Sequence, residues 1–408
     1  MTEKEGFTSY QKMVILGLAG LLFTVVLDYM LLPALSGTLL EQLQLSTDEF
    51  GLIASAYALS AGISALLASG YADRFERKSF LLVFYTGFLI GILLCAFSPS
   101  FPMLLTSRII TGAFGGVIAS ICFAMVADVF SLSQRGRVMG WIQMAFAPSL
   151  VMGLPLSLYI ASSFSWKMAY GMIFSFGVLA LLLVVFLIRP LENPASQFSA
   201  PWDHIISNLK RSSYWTVYGA NILIVSGDVI FMTFNAAFLT NNLGLTDSQL
   251  PFVYGAVGVT SLVAAPIFGK LADRFGKWTV FAIGTLLSIA TVVVYTAGAI
   301  QRFEWIIFVH VGLFFGVNAR MVSATALATA VPKKSDRGAF LAIDTSIQQL
   351  AGGIAAAITG WVIFQGLDGI LLNYPQIGWL MAILMLLSAG LVFLVSNQVK
   401  ANPESESN

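Results

Sequence analysis

The fold class that this sequence predicts is an all-α membrane protein: twelve transmembrane helices arranged as two pseudo-symmetric six-helix bundles. Three observations carry it. The 408 residues are 58% hydrophobic and only 10% charged, whereas about a quarter of the residues in a soluble domain are charged. Such a chain cannot cover itself with a water-soluble surface. Twelve apolar runs, each near the roughly 20 residues needed to cross a bilayer, are separated by short polar turns. Residue types also recur 200 positions apart: Asp28 with Asp228, Gly112 with Gly312, and Gly116 with Gly316.

The first run, 13–36, is too long for a signal-peptide core and has no convincing cleavage site, so it reads as a retained membrane helix. The next five span 48–71, 79–98, 102–129, 138–162 and 166–188. Helix is the conformation for all of them, because in hydrocarbon each backbone group must bond within its own segment. Residues 189–213 interrupt the series. Pro190, Pro194 and Pro201 break regular structure there. Trp202, Ile205, Ile206 and Leu209 then repeat at helical spacing, beside Asp203, His204, Lys210 and Arg211, which predicts a short helix on the membrane surface. Six further runs follow at 214–239, 249–272, 278–299, 304–330, 338–365 and 374–396. The expected domains are therefore 1–188, a linker 189–213, and 214–408. The tail NPESESN has the composition of a disordered end.

Lys and Arg fix the orientation. With both termini in the cytoplasm, 17 of the 21 fall at cytoplasmic ends or loops, Lys167 and Arg302 face outside, and Arg108 and Arg320 stay within the membrane. A bacterial plasma membrane is the expected location. Net charge of +1 gives no reason to expect a nucleic-acid partner. Cys95 and Cys122 lie in apolar runs, so neither a disulfide framework nor a zinc site is expected. The two histidines and the lack of HExxH, GxSxG or Walker patterns argue against an enzyme, a metal site or a cofactor.

The chain places charges twice at one point of each half: SGYADRFERKS at 69–79 and GKLADRFGKWT at 269–279. Two six-helix halves joined by a long inner loop, with this charged turn after the second span of each, resemble the major facilitator superfamily over essentially the whole chain. The turn is similar to that family's G-x-x-x-D-R-x-G-R-K signature, with Ser69 and Glu76 in place of its glycines. The second copy keeps Gly269, Asp273, Arg274, Gly276 and Lys277. SRIITGAFGG, 107–116, resembles the family's span-four motif, which begins with a membrane arginine. MGLPLSLYIASSFSWKMAY, 152–170, resembles the fifth-span motif of drug–proton antiporters of the sugar-efflux and arabinose-efflux-like branch, although Pro148 and Pro155 stand near Gly153 where that motif has GP-x-x-GG. The resemblance implies parallel halves, a small-molecule substrate bound between them near mid-membrane, and alternating access. It implies export against proton entry, with proton-coupled import as the alternative, because the fold hosts both. A monomer in the lipid bilayer is the expected form. Asp73, Arg74, Arg77 and Asp128, with Asp273 and Arg274 in the second half, are the expected inner gate: an aspartate at this turn meets a helix end and pairs with arginine, and parting those contacts separates the halves.

An ionisable side chain at the bilayer centre costs about 2.5–3.5 kcal/mol on insertion scales and marks a functional interior. Asp28, Arg108, Asp228, His310, Arg320 and Asp344 qualify. With a helical rise of about 1.5 Å per residue, Asp28 and Arg108 lie at similar depth and can pair. Asp228 with His310 is a looser analogue, and Arg320 and Asp344 are within reach of each other in the inner half. Burial disfavours a charged carboxylate and a nearby arginine favours it. An aspartate that meets arginine in only one state therefore takes up and releases a proton as the halves rock. Asp28, modulated by Arg108, is the first choice for proton coupling, Asp228 the second, and His310 a further participant; the rival reading is a static pair that fixes helix packing. Asn221, Asp228 and Asn235 are spaced by seven and so share one helix face, as cavity lining or as glue between helices. Gln348, one turn after Asp344, extends that lining, together with Tyr29, Gln143, Asn318 and Arg320. Gly112, Gly115 and Gly116 serve close helix packing. If the signature turn gates the inner face, Asp73→Asn impairs transport and leaves membrane insertion intact; full transport by that variant removes the turn from the gate.

Overall fold

The computed structural model describes residues 7–68, 75–143, 145–190, 206–298, 300–333 and 336–401. Asp73 and Arg74 of the expected gate, Trp202 and Ile205 of the expected surface helix, and the tail lie outside the described residues. Among the described residues twelve helices are long and apolar enough to cross a membrane. They are α1 Ser9–Ala34, α2 Thr47–Ala68, α3 Arg77–Phe97, α4 Phe101–Val129, α5 Gln134–Ser163 and α6 Trp166–Leu187. The second six are α7 Ser212–Thr233, α8 Asp247–Phe275, α9 Lys277–Thr296, α10 Phe303–Ala328, α11 Arg337–Val362 and α12 Tyr374–Ala401.

Local chemistry explains where these helices begin. Thr8 and Gln11 form a reciprocal capping box, with Gln11 N donating to Thr8 Oγ1 at 3.2 Å and Thr8 N to Gln11 Oε1 at 3.0 Å, which extends α1 back into polar sequence. Glu76 caps α3 by accepting from the backbone of Lys78 and Ser79 at 2.9 and 2.6 Å. One expected span is broken. The run 214–239 does not continue as a single helix: α7 stops at Phe234 (φ −115°, ψ 14°), a short helix Asn235–Ala237 follows, and the chain then widens into a π-helix over Phe238–Asn242. Hydropathy shows no sign of this break, because the residues on both sides of it are apolar.

The fold is two six-helix bundles related by duplication. In the first, α2 packs on α4, α4 on α3, α3 on α6 and α6 on α1; in the second, α8 packs on α10, α10 on α9, α9 on α12 and α12 on α7. Each contact maps onto its counterpart six helices later. Between the bundles α2 lies along α11, and α5 lies along α8. The approach is close because glycines remove side chains there: a Cβ on Gly51 would stand 2.8 Å from the Gly360 Cα, and one on Gly258 2.6 Å from the Leu150 carbonyl oxygen. At the end of the molecule opposite the termini, hydrogen bonds also join the bundles, from Ala237 N to Ser36 Oγ at 2.9 Å and from Thr47 Oγ1 to the Ile363 carbonyl at 2.6 Å. Phe50 meets Phe234 there with ring centroids 5.2 Å apart. The molecule is closed at that distal end.

The glycines recurring 200 positions apart are not spatial equivalents. Gly112 and Gly116 face α2, where a Cβ on Gly112 would overlap Ser60 Oγ and the Tyr57 carbonyl. Gly312 and Gly316 face α9 instead, at Thr291 and Ser288. Gly112→Leu should therefore force α4 off α2, at a cost of about 1–3 kcal/mol from overpacking, and lower the melting temperature. Gly140→Ala, where a Cβ meets nothing within 4 Å, should not lower it, because alanine is the better helix former.

Candidate functional site

A cavity of about 320 Å³ lies between the bundles, within the roughly 300–1,000 Å³ range of small-molecule sites. The first bundle contributes Tyr29, Tyr57, Phe146 and Leu150; the second contributes Phe231, Tyr254, Phe314, Met321 and Met381. Two irregularities shape it. Pro33 lies inside the last turn of α1, on the cavity wall. In α5, Pro148 is followed by a π-helix over Ser149–Gly153, which presents Leu150 both to the cavity and to the bare face of α8 at Gly258. The wall is overwhelmingly apolar. Its polar groups include Arg108, Asp228, Ser261 and Asn318, with Asn318 donating to Ser261 Oγ at 3.1 Å.

The two charged groups of the wall differ in exposure. Arg108 Nη1 donates to both oxygens of Asp28 at 2.9 Å, and the pair is sealed, at 1% and 0% side-chain exposure. The guanidinium also lies 4.5 Å from the centroid of the Tyr57 ring, a cation–π contact that adds to its neutralisation. Tyr57 packs in turn on Tyr29. Arg108 thus reaches the wall while Asp28 stands behind it. Asp228 is different. Its side chain is 24% exposed, and its nearest cation, Arg320 Nη1, is 3.8 Å from Oδ1, beyond hydrogen-bond length. Oδ1 accepts no hydrogen bond. Arg320 donates through Nη2 to Ser388 Oγ at 3.1 Å and stacks over Phe281 at 5.5 Å.

Several expected groupings are not found. His310 does not pair with Asp228: its Nε2 lies 3.1 Å from Asn235 Nδ2, in a buried cluster where Tyr295 OH donates to Asn235 Oδ1 at 2.8 Å. Arg320 does not pair with Asp344, whose carboxylate accepts from Asn221 and Gln348 instead. Asn221, Asp228 and Asn235 do not form one polar stripe. The break at Phe234 turns Asn235 into the His310 cluster, while Asn221 bonds Asp344. Of the expected cavity residues, Tyr29 and Asn318 line the wall; Asn221, Asn235, Arg320, Asp344 and Gln348 lie outside it, and Gln143 is exposed away from it. A period of seven reads a face correctly only while the helix is unbroken.

At the terminus end Arg77 Nε meets Asp128 at 3.3 Å. This pair joins α3 to α4 within one bundle and does not bridge the two. The neighbouring basic residues cap helix ends: Lys78 Nζ donates to the carbonyls of Val185 and Ile188 at 2.8 and 2.5 Å, and Arg135 to those of Phe130 and Ala127 at 3.1 and 2.5 Å. Asp273 and Arg274 are exposed, with Arg274 over the Phe275 ring, and the turn reverses at Gly276 with φ 91°. The sequence reading missed two pairs: Asp228 with Arg320, and Arg211 Nη1 with Asp336 at 3.0 Å, to which Tyr214 OH also donates at 3.0 Å. The second ties the start of α7 to the start of α11.

The sequence matches the family described as Major Facilitator Superfamily over residues 17–234 and again over 217–408. An uncharacterized MFS-type transporter, YceJ, of Bacillus subtilis (strain 168) is 27% identical over 65% of this chain and 68% of its own length. Multidrug resistance protein 1 of the same organism is 22% identical, over 87% of this chain and 89% of its own. Among solved structures, a bacterial homologue of the human lysosomal transporter Spinster, inward-facing and unoccupied, superposes with a TM-score of 0.79 at 14% identity, covering 97% of this chain and 99% of that one. A mutant of the nucleoside transporter NupG gives a TM-score of 0.75 at 12% identity, over 94% and 99%.

The sealed pair sets an expectation for stability. Removing one partner of a buried ion pair costs about 3–5 kcal/mol, whereas replacing both by apolar groups is often neutral. Arg108→Met should therefore lower the melting temperature sharply, and Asp28→Leu added to it should restore most of the loss.

Proposed function

The chain belongs to the major facilitator superfamily, and from that premise we propose that it is a proton-coupled antiporter exporting a bulky apolar organic compound, one bearing a single positive charge above all. As a member of that family it is a multi-pass membrane transporter that works by alternating access. The finer reading, a drug–proton antiporter of the sugar-efflux or arabinose-efflux-like branch in a bacterial plasma membrane with both termini cytoplasmic, is ours.

The observation that carries it is Asp228: a partly exposed carboxylate, with one oxygen free of hydrogen bonds, in a wall otherwise built of aromatic, aliphatic and methionine side chains. Methionine and aromatic surfaces adapt to varied apolar shapes. One unsatisfied carboxylate in low dielectric selects for a cationic head or a proton. The two compete for the same carboxylate, and that competition is what exchange requires. Arg320, at 3.8 Å, is near enough to hold the empty carboxylate and too far to satisfy it. Accessibility thus reverses the order of the sequence reading: Asp228 faces the ligand space, and Asp28 lies behind it, bound on both oxygens by Arg108. Asp28 with Arg108 then acts as the rigid back wall of the first bundle in this conformation. The distal contacts at Ser36–Ala237 and Thr47–Ile363 are those that must part when the cavity opens to the other side. The similarity to a protein named for multidrug resistance favours export.

A thermal-shift screen of amphipathic organic cations of fixed charge, run on purified protein at about pH 5.5 and about pH 8, tests this reading, because a ligand of the folded state raises apparent stability and coupling between two ligands is reciprocal. Hits should bind more weakly at the lower pH, and Asp228→Asn should erase that difference. Tighter binding at the lower pH would make the protein an importer that binds proton and solute together.

A further inference from the structure

Three aspartates stand at membrane depth, and two of them face an arginine. Asp344, on α11, does not: among the described residues no Lys, Arg or His makes an ion pair with it. It is 6% exposed. Asn221 Nδ2 on α7 donates to both of its oxygens, at 2.9 and 3.0 Å, and Gln348 Nε2 donates at 2.8 Å. These amides satisfy the geometry of a carboxylate and bring no opposite charge, so a buried negative charge is left uncompensated. One turn before Asn221, Tyr218 stacks on Phe340 with centroids 5.0 Å apart, and its hydroxyl is buried without a hydrogen-bond partner. The site therefore holds one more polar group than it uses.

Among the described residues no cation pairs with it from the packed neighbours, which are α7 and α2 and, around Phe340 and Ile343, α10 and α12. On α10 Glu304 is in the first turn, His310 lies in the Asn235 cluster and Arg320 against Asp228. On α12 Tyr374 bonds the Phe231 carbonyl and Lys400 is exposed. On α7 the titratable groups are Tyr214, bonded to Asp336; Tyr218, beside the site; and Asp228, against Arg320. On α2 Tyr57 lies under Arg108, and Asp48 and Glu49 are at the far distal end. On α11 itself Arg337 is exposed, seven residues before Asp344, or about 10 Å along the axis. Asn221 and Gln348 are only partly buried, and none of the three residues lines the cavity.

We infer that Asp344 is a proton-binding site in its own right, held by Asn221 and Gln348 in the second bundle and separate from the ligand cavity. The proton comes from water at the terminus end. It converts an acceptor-only carboxylate into a carboxyl whose O–H donates, to an amide oxygen of Asn221 or Gln348 once that amide turns over. The link between α7 and α11 is thereby rewritten. The position gives this a consequence, because two residues beyond Asp344 α11 meets the other bundle: a Cβ on Gly62 of α2 would lie 3.0 Å from the Ser346 carbonyl oxygen. Protonation at Asp344 thus acts on the helix that carries the interface. The inference goes beyond the antiport reading and stands whether or not Asp228 binds substrate.

The test follows the infrared band of protonated carboxyl groups in purified full-length protein titrated from about pH 5 to about pH 9. One such band should be lost in Asp344→Asn and kept in Asp228→Asn and Asp28→Asn. Asn221→Leu, which retains the carboxylate and removes its two contacts from α7, should move the midpoint of that band. A spectrum of Asp344→Asn that superposes on the parent at every pH overturns the inference. So does a band that follows sodium concentration at fixed pH, which would make the site one for a metal cation. If Asp344→Asn does not fold, Asn221→Leu decides alone: an unmoved titration overturns the assignment.

Discussion

Inside a bilayer a charge has no solvent except what the protein supplies, and this constraint organises the interior of the molecule. An unpaired ion there costs several kcal/mol. The chain nevertheless holds three aspartates and two arginines among its spans, all but Asp228 buried. Each is accommodated differently. Asp28 and Arg108 neutralise one another on two hydrogen bonds and are sealed by Tyr57. Asp228 and Arg320 stay at 3.8 Å, so the buried Oδ1 accepts no hydrogen bond while the side chain remains partly exposed on the cavity wall. Asp344 relies on amides. A sealed pair, a cavity-lining acid and an amide-held acid follow from the same cost solved with three sets of neighbours.

The second organising feature is the nearness of backbones. Gly51 against Gly360, and Gly258 against Leu150, let the bundles touch where a methyl group would hold them apart. These contacts lie on α2, α11, α5 and α8, the four helices that form the seam. Without an apolar driving force between helices in lipid, close packing and hydrogen bonds are what hold the seam. Contacts of that kind can be exchanged for an equivalent set on the opposite face at little net cost, as alternating access demands. Charges at the terminus end have another task here. Arg77 with Asp128 and Arg211 with Asp336 tie helices inside a bundle, which keeps each bundle rigid while the seam works.

Duplication is visible at two levels that do not coincide. The helix-to-helix contacts repeat faithfully six helices on, yet residue equivalence drifts. Asp28 and Asp228 both meet an arginine on the fourth helix of their bundle, but the arginines, Arg108 and Arg320, are not 200 positions apart. Packing is conserved by shape, and shape tolerates a change of residue at a given offset as long as some side chain fills the space.

What the sequence by itself determined is what depends on composition and on single-helix geometry. Hydropathy set the twelve spans, because crossing hydrocarbon admits only long apolar helices. The recurrence of Asp28 at Asp228 pointed to duplication, and equal depth brought Asp28 to Arg108. Partners across helices were decided by the tertiary structure alone. His310 went to Asn235 because α7 breaks at Phe234, and Asp344 went to Asn221 because α11 packs on α7 in that register. A spacing of seven names a face, but not which neighbour that face meets, nor whether the helix continues. Exposure was likewise a tertiary matter: two aspartates at matching positions differ in exposure because one is covered by Arg108 and Tyr57 and the other opens on the space between the bundles.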